Sequence, residues 1–169
     1  MKLKDINGKT FIHLIFIFLI FFIDRISKIV VINFEKDNFT TEIFSSKFLN
    51  IQLFWNKGVA FGLFSFDKSH FYDLLTAVIL AIVVLIGLMI IKSSGVKKYA
   101  LLMIFGGALG NLYDRIFFKA VPDFIDFHIG NFHWFIFNVA DIFISLGVFF
   151  MILFEFVGNS KKESEDEKY

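Results

Sequence analysis

Two short stretches hold the residues whose types and spacing could do chemistry. In "VPDFIDF", residues 121–127, Pro122 pushes Val121 out of helical geometry, so Asp123 falls on extended chain. In "FNVAD", residues 137–141, Asn138 and Asp141 are three apart and share a helix face. Each stretch borders a long apolar run, which puts the two carboxylates at similar depth. If Asp123 and Asp141 converge, desolvation and mutual repulsion make the pair share one proton. One carboxylate could then activate a water while the other protonates a leaving group, the logic of an aspartyl peptidase. A proton or ion relay uses the same residue types, and spacing alone leaves both readings open.

Other polar residues also stand where apolar ones would be expected. In "FIDRISKIVV", residues 22–31, three charges interrupt an otherwise greasy segment, and each costs roughly 2.5–3.5 kcal/mol at a membrane centre. Asp24 and Lys28 are four apart, so on a helix they can pair; the plainer alternative is that they mark the end of a span. In "GGALGNLYDR", residues 106–115, Gly106 and Gly110 have the spacing that lets a second helix approach closely, and Asn111, Asp114 and Arg115 follow one turn later.

Several chemistries are excluded or weak. The absence of cysteine removes disulfides, thiolate catalysis and Cys-ligated metals together. His13, His70, His128 and His133 lack the spacing of a metalloprotease helix; Asp126 with His128 can be drawn into a metal site, but weakly, and no metal is expected. Ser27 and Lys28 are adjacent and do not face each other on a helix, so they make no nucleophile–base dyad. No phosphate-binding glycine loop and no nucleic-acid-binding feature is present.

The elements that must position these groups are membrane spans. Of the 169 residues 57% are hydrophobic, 27 of them Phe, with mean hydropathy +0.71, outside the range of soluble domains. Stretches of about 20 apolar residues predict four transmembrane helices at about 11–33, 71–91, 99–118 and 134–157. Lys2, Lys4 and Lys9 precede the first, Lys92, Lys97 and Lys98 lie between the second and third, and Lys161, Lys162 and Lys168 follow the fourth. The positive-inside rule then puts both termini in the cytoplasm and 34–70 and 119–133 outside. The basic start followed by an apolar run also resembles a signal peptide, but no small-residue cleavage site follows Ile23, so a retained helix is expected. The tail 158–169 reads as a solvated cytoplasmic end. In the outer segment at about 38–66, Leu49, Ile51, Leu53 and Trp55 alternate as in a half-buried strand, Thr40, Thr41 and Ile43 are candidate partners, and "NKGVAFG" is the turn and return.

With these motifs in hand, the chain resembles the bacterial lipoprotein signal peptidases, also called signal peptidase II. The matching stretches, in the family's order and over most of the chain, are "DRISK" (24–28), "NKGVAFG" (56–62), "GGALGNLYDR" (106–115) with "VPDFIDF", and "FNVAD". The resemblance implies an all-α membrane protein, a single domain over 1–169, with four transmembrane helices and a small β-cradle on the outer, extracytoplasmic face. It implies an aspartic endopeptidase of the cytoplasmic (inner) membrane with its active site near the outer surface. Its substrates would be diacylglyceryl-modified prolipoproteins, cut just before the lipidated cysteine, with membrane lipid as surroundings, no cofactor, and inhibition by globomycin-type cyclic peptides. Carried over by motif, the catalytic residues are Asp123 and Asp141. Asn56, Gly58, Asn111, Arg115, Asn138 and Ala140 line or shape the substrate pocket, Asp24 and Lys28 match the pair in the first helix, and Asp114 supports the site rather than performing the reaction.

Three departures stand out: Pro122 replaces an aliphatic residue before the first aspartate, Ile142 stands where Ser is frequent, and Val59 and Gly62 soften the glycine loop. Four helices around one site create no need for a second copy, so a monomer is expected. The rival class is a small transporter or proton-relay protein using Asp24, Asp114, Asp123 and Asp141. It predicts polar groups spread through the bilayer, whereas these gather near one surface and no inverted repeat is visible.

Overall fold

The computed structural model describes residues 8–58 and 69–166, with side chains through Val157 apart from those of residues 69 and 71. In chain order the elements are α1 (Gly8–Asn38), β1 (Glu42–Ser45), β2 (Leu49–Asn56), α2 (Ser69–Lys92), α3 (Gly95–Phe118), β3 (Val121–Ile129), β4 (Phe132–Phe137) and α4 (Val139–Asp166). The four strands form one antiparallel sheet in the order β1-β2-β3-β4.

The helices are packed inside out relative to those of a water-soluble bundle. On α1 the buried positions are Ile20, Asp24, Arg25, Lys28 and Val31, while Phe11, Phe18, Phe22, Ile26 and Val30 are exposed. On α2 the apolar surface faces outward almost throughout, from Leu74 to Ile91. A helix so apolar on its outer face is stable only where its surroundings are apolar too. Three helices, Tyr72–Lys92, Gly95–Phe118 and Val139–Val157, are long and apolar enough to cross a membrane, so the protein is membrane-embedded.

Helix α3 is the centre, packing against α1, α2 and α4. A Cβ built on Gly106 would sit 3.0 Å from Ile20 of α1, and one on Gly110 would lie 2.5 Å from a carboxylate oxygen of Asp24. The G-x-x-x-G spacing thus marks the α1–α3 crossing. Gly107, between them, faces α4, where its Cβ would meet the Ala140 carbonyl at 2.5 Å.

Hydropathy misplaces the start of the fourth span. Residues 134–137 belong to β4, and the helix begins only at Val139. A short aromatic and β-branched run has no period that separates strand from helix, but Asn138 and Asp141 settle the matter locally. The Asp141 N–H donates to Asn138 Oδ1 (3.2 Å), and the Asn138 N–H donates to Asp141 Oδ2 (3.1 Å). That reciprocal capping box fixes Asn138 as N-cap and starts α4 there.

The sheet is therefore larger than the outer segment at 38–66 alone provides. Ile43 lies in β1, whereas Thr40 and Thr41 precede it, the Thr41 carbonyl accepting from Leu53 N (3.0 Å). The 59–62 half of "NKGVAFG" lies outside the described residues. Strands β3 and β4 supply the other half of the sheet. Lys119 ends α3 in a left-handed conformation (φ 56°) and turns the chain into β3. Pro122 is accommodated within β3 because it pairs on one side with Trp55, while pairing with β4 begins only at Ile125. Val31, Leu53 and Phe124 form the core between sheet and α1, with Ile43, Ile51 and Val139 against them.

Candidate active site

Asp123 and Asp141 reach one cavity from different elements. Asp123 comes from β3, beside an irregularity in which β2 advances from Ile51 to Phe54 while β3 moves only from Ile125 to Asp123. Such a bulge re-aims the neighbouring side chain. Asp141 comes from the first turn of α4. Both line a cavity of about 340 Å³ together with Asn56, Asn111, Arg115, Val121, Phe135, Ile136, Ile144 and Ser145.

Asn138 connects the two carboxylates. Its side-chain amide donates to Asp123 Oδ1 (2.6 Å), while its backbone N–H and side-chain oxygen are the halves of the capping box with Asp141. Fully buried, it cannot exchange these bonds for water. Asn56 donates to the second oxygen of Asp123 (2.8 Å), and its own oxygen accepts from Gly58 N (2.8 Å). Arg115 donates to the Gly58 carbonyl (2.9 Å) and the Asn111 carbonyl (3.3 Å), holding residues 56–58 beside the cavity.

Burial pushes the Asp123 carboxyl from its ordinary 3.8 up to about 6, and the charge of Asp141 adds to the rise; the bonds from Asn56 and Asn138, which favour the anion, oppose it. The result is a carboxyl that exchanges its proton near neutral pH, as an acid–base group requires.

Behind the cavity lies a layer of buried charge. Lys28 Nζ donates to Asp24 (3.0 Å), Asp114 (2.7 Å) and Asn111 Oδ1 (2.9 Å). Because an ammonium can only donate, it turns the Asn111 oxygen toward itself and the Asn111 amide toward Asp141, which accepts at 2.8 Å. Arg25 forks onto both oxygens of Asp114, the longer arm 2.7 Å, and its guanidinium lies 4.9 Å from the Tyr113 ring centre. Asp24 also accepts from the N–H of Ala140 (3.0 Å), tying α1 to the start of α4. Two acids balance two bases, which is what makes burying four charges tolerable.

The Asp24–Lys28 pair read from sequence is present. Asp114 sits in the charged layer, fully buried, and not among the cavity's lining residues. Ala140 is fully buried against α3. Sequence reasoning passed over Arg25, 89 residues from its partner Asp114. It also missed the bridging role of Asn138, for which the N-x-x-D capping signature was an available signal. Among the described residues, the one group able to hold a metal is Asp126, His128 and His133, where sequence suggested only the first two. None of the three lines the Asp123–Asp141 cavity.

Known proteins match this chain over most of its length. The family profile described as signal peptidase (SPase) II matches residues 16–157. The chain is 46% identical over 164 residues to a lipoprotein signal peptidase of Pelagibacter ubique (strain HTCC1062), covering 96% of this chain and 99% of that one. It is 36% identical to a lipoprotein signal peptidase of Anaplasma marginale (strain Florida), covering 89% and 87%. A solved structure described as a bacterial membrane enzyme superposes with a TM-score of 0.74 at 28% identity, covering 96% of each chain.

Proposed function

The chain belongs to the signal peptidase II family, and from that premise we propose that it cuts lipidated prolipoproteins by aspartyl chemistry at Asp123 and Asp141. It is a membrane-embedded peptidase that removes signal peptides from prolipoproteins. The observation that carries the aspartyl reading is the convergence of the two carboxylates on one cavity, bridged by Asn138.

In the reaction, the pair carries one proton. One carboxylate of the pair, ionised, draws a proton from the attacking water. The other, protonated, gives its proton to the departing nitrogen. Asn56, Asn111 and Asn138 hold both carboxylates in line. Arg115 and the Gly58 segment flank the scissile peptide. Asp24, Arg25, Lys28 and Asp114 act from behind, fixing Asn111 and the start of α4.

For the setting, α1 crosses the membrane together with α2, α3 and α4, both termini are cytoplasmic, and the sheet lies at the outer surface of the bacterial inner membrane. Support comes from the buried charges of α1 and α3, Asp24, Arg25, Lys28, Asp114 and Arg115, which lie toward the sheet's end of the bundle, while Lys97 and Lys98 open α3 at the other end. Exposed Phe132 and Trp134 suit an interfacial aromatic belt. An apolar groove of about 660 Å³ between α1 and α3, lined by residues such as Phe18, Phe21, Leu112 and Phe117, suits the acyl chains of a substrate entering sideways. A monomer suffices, and globomycin-type peptides would compete for the site.

The test is cleavage of a diacylglyceryl-modified prolipoprotein by purified protein in detergent, followed as a gel shift. Wild type should cut the lipidated precursor and spare the unlipidated one, and Asp123→Asn and Asp141→Asn should each abolish cleavage. Undiminished cleavage by either folded variant would remove that aspartate from the mechanism.

A further inference from the structure

The β3–β4 hairpin holds a second polar cluster that the proposed reaction does not use. Asp126 and His128 are two apart on β3 and so share a face of the sheet, and His133 stands directly opposite His128 in the β4 register. One potential ligand atom from each of the three lies within 4.8 Å of the others. Asp126 is buried, only 4% exposed, and its carboxylate accepts from Asn50 (3.3 Å) and meets His133 Nδ1 at 2.8 Å. Among the described residues no lysine or arginine pairs with it, so positive charge can reach this buried acid only through imidazole or a bound cation. His128 Nδ1 is buried and makes no hydrogen bond, and its ring lies 5.0 Å from that of His133. Phe48, Phe127, Phe132 and Trp134 wall the same open groove as His128, so an ion can reach the cluster from the surface.

We propose that Asp126, His128 and His133 bind a divalent transition-metal ion such as Zn²⁺ through one carboxylate oxygen and one nitrogen of each histidine. Two imidazoles and a carboxylate, without thiolate, are the donor set that suits zinc and its neighbours, and three protein ligands leave a fourth position for water. Tetrahedral zinc holds its ligand atoms about 3.3 Å apart, so the cluster must close by rotation of its side chains. His133, 53% exposed at its side chain, has room for that. The ion would clip β3 to β4, and β3 carries Asp123 three residues before Asp126. The site stands independently of the peptidase reading.

The experiment is calorimetric titration of Zn²⁺ into chelator-stripped, purified protein in detergent at pH 7.5, with the visible spectrum of added Co²⁺ as a second readout. Wild type should bind one ion per chain with micromolar affinity and give the ligand-field bands of a nitrogen–oxygen site. His128→Phe keeps a flat ring against His133 but removes both nitrogens, and should bind at least about tenfold more weakly. His13→Ala, on α1 outside the hairpin, should bind as wild type does. Absence of saturable binding to wild type overturns the proposal, and so does unchanged affinity in His128→Phe. If His128→Phe does not fold, His133→Gln serves in its place and is judged by the same loss of affinity.

Discussion

Replacing Asp123 with Asn should abolish cleavage yet make the protein more stable, and only above a definite pH. A carboxyl whose value in the folded state is raised binds its proton more tightly there than in the unfolded chain. Its contribution to stability is therefore fullest below the ordinary 3.8, declines as pH rises, and is gone above about 6. At about 1.36 kcal/mol per pH decade, the gap between those values makes the buried anion cost about 2–3 kcal/mol at pH 7.5. Asn carries no charge and escapes that cost. Its own NH₂ would face the donors of Asn56 or Asn138, an offset of about 1 kcal/mol that is the same at every pH. The diagnostic is thus the change with pH: relative to wild type, the variant should gain about 2 kcal/mol between pH 4 and pH 7.5. For a chain of this size that is roughly 4–8 °C in apparent Tm. Thermal unfolding in detergent at both pH values measures it. An identical Tm difference at pH 4 and pH 7.5 would refute the claim that Asp123 is a desolvated acid.

Three further perturbations probe the layers around the pair. Asn138→Ala removes the 2.6 Å bond to Asp123 and the cap of α4; at about 1.5–3 kcal/mol for a bond to a charged group, cleavage should fall about 10- to 100-fold, with about 1 kcal/mol of stability lost in a melt. Lys28→Met leaves Asp24 and Asp114 facing Arg25 alone in a buried layer, which should destabilise the protein by about 3–5 kcal/mol; adding Asp24→Asn should recover part of that, and no recovery would deny the charge balance its role. Gly107→Ala puts a methyl 2.5 Å from the Ala140 carbonyl, so α3 and α4 must part, lowering stability by about 1–3 kcal/mol and cleavage with it, whereas Gly8→Ala, with nothing within 4 Å, should leave both unchanged in the same assays.

Much of the fold is legible from local pattern because membrane insertion is itself a local criterion. A run of some 20 apolar residues must span or be buried wherever it lies, so α2, α3 and most of α4 follow from hydropathy. Asp24 with Lys28, and Gly106 with Gly110, are pairs within a single helix whose spacing fixes a shared face. The β4 strand was not legible from hydropathy, because six residues, mostly aromatic, satisfy a span and a strand equally. Its boundary is written in the capping pair Asn138 and Asp141, a polar signal that an apolar window averages away.

The sequence by itself determined which residues are candidates for the chemistry and, through helical period and greasy length, most of the elements that hold them. Only the tertiary structure decided that Asn138 joins Asp123 to Asp141, that Lys28 orients Asn111 toward Asp141, that Arg25 forks onto Asp114, and that Asp126 and His128 meet His133 across a hairpin. The physical reason is that each of these contacts involves groups on different elements. Their distance depends on where helices cross and how strands register, and those are set by packing over the whole chain rather than by any one segment.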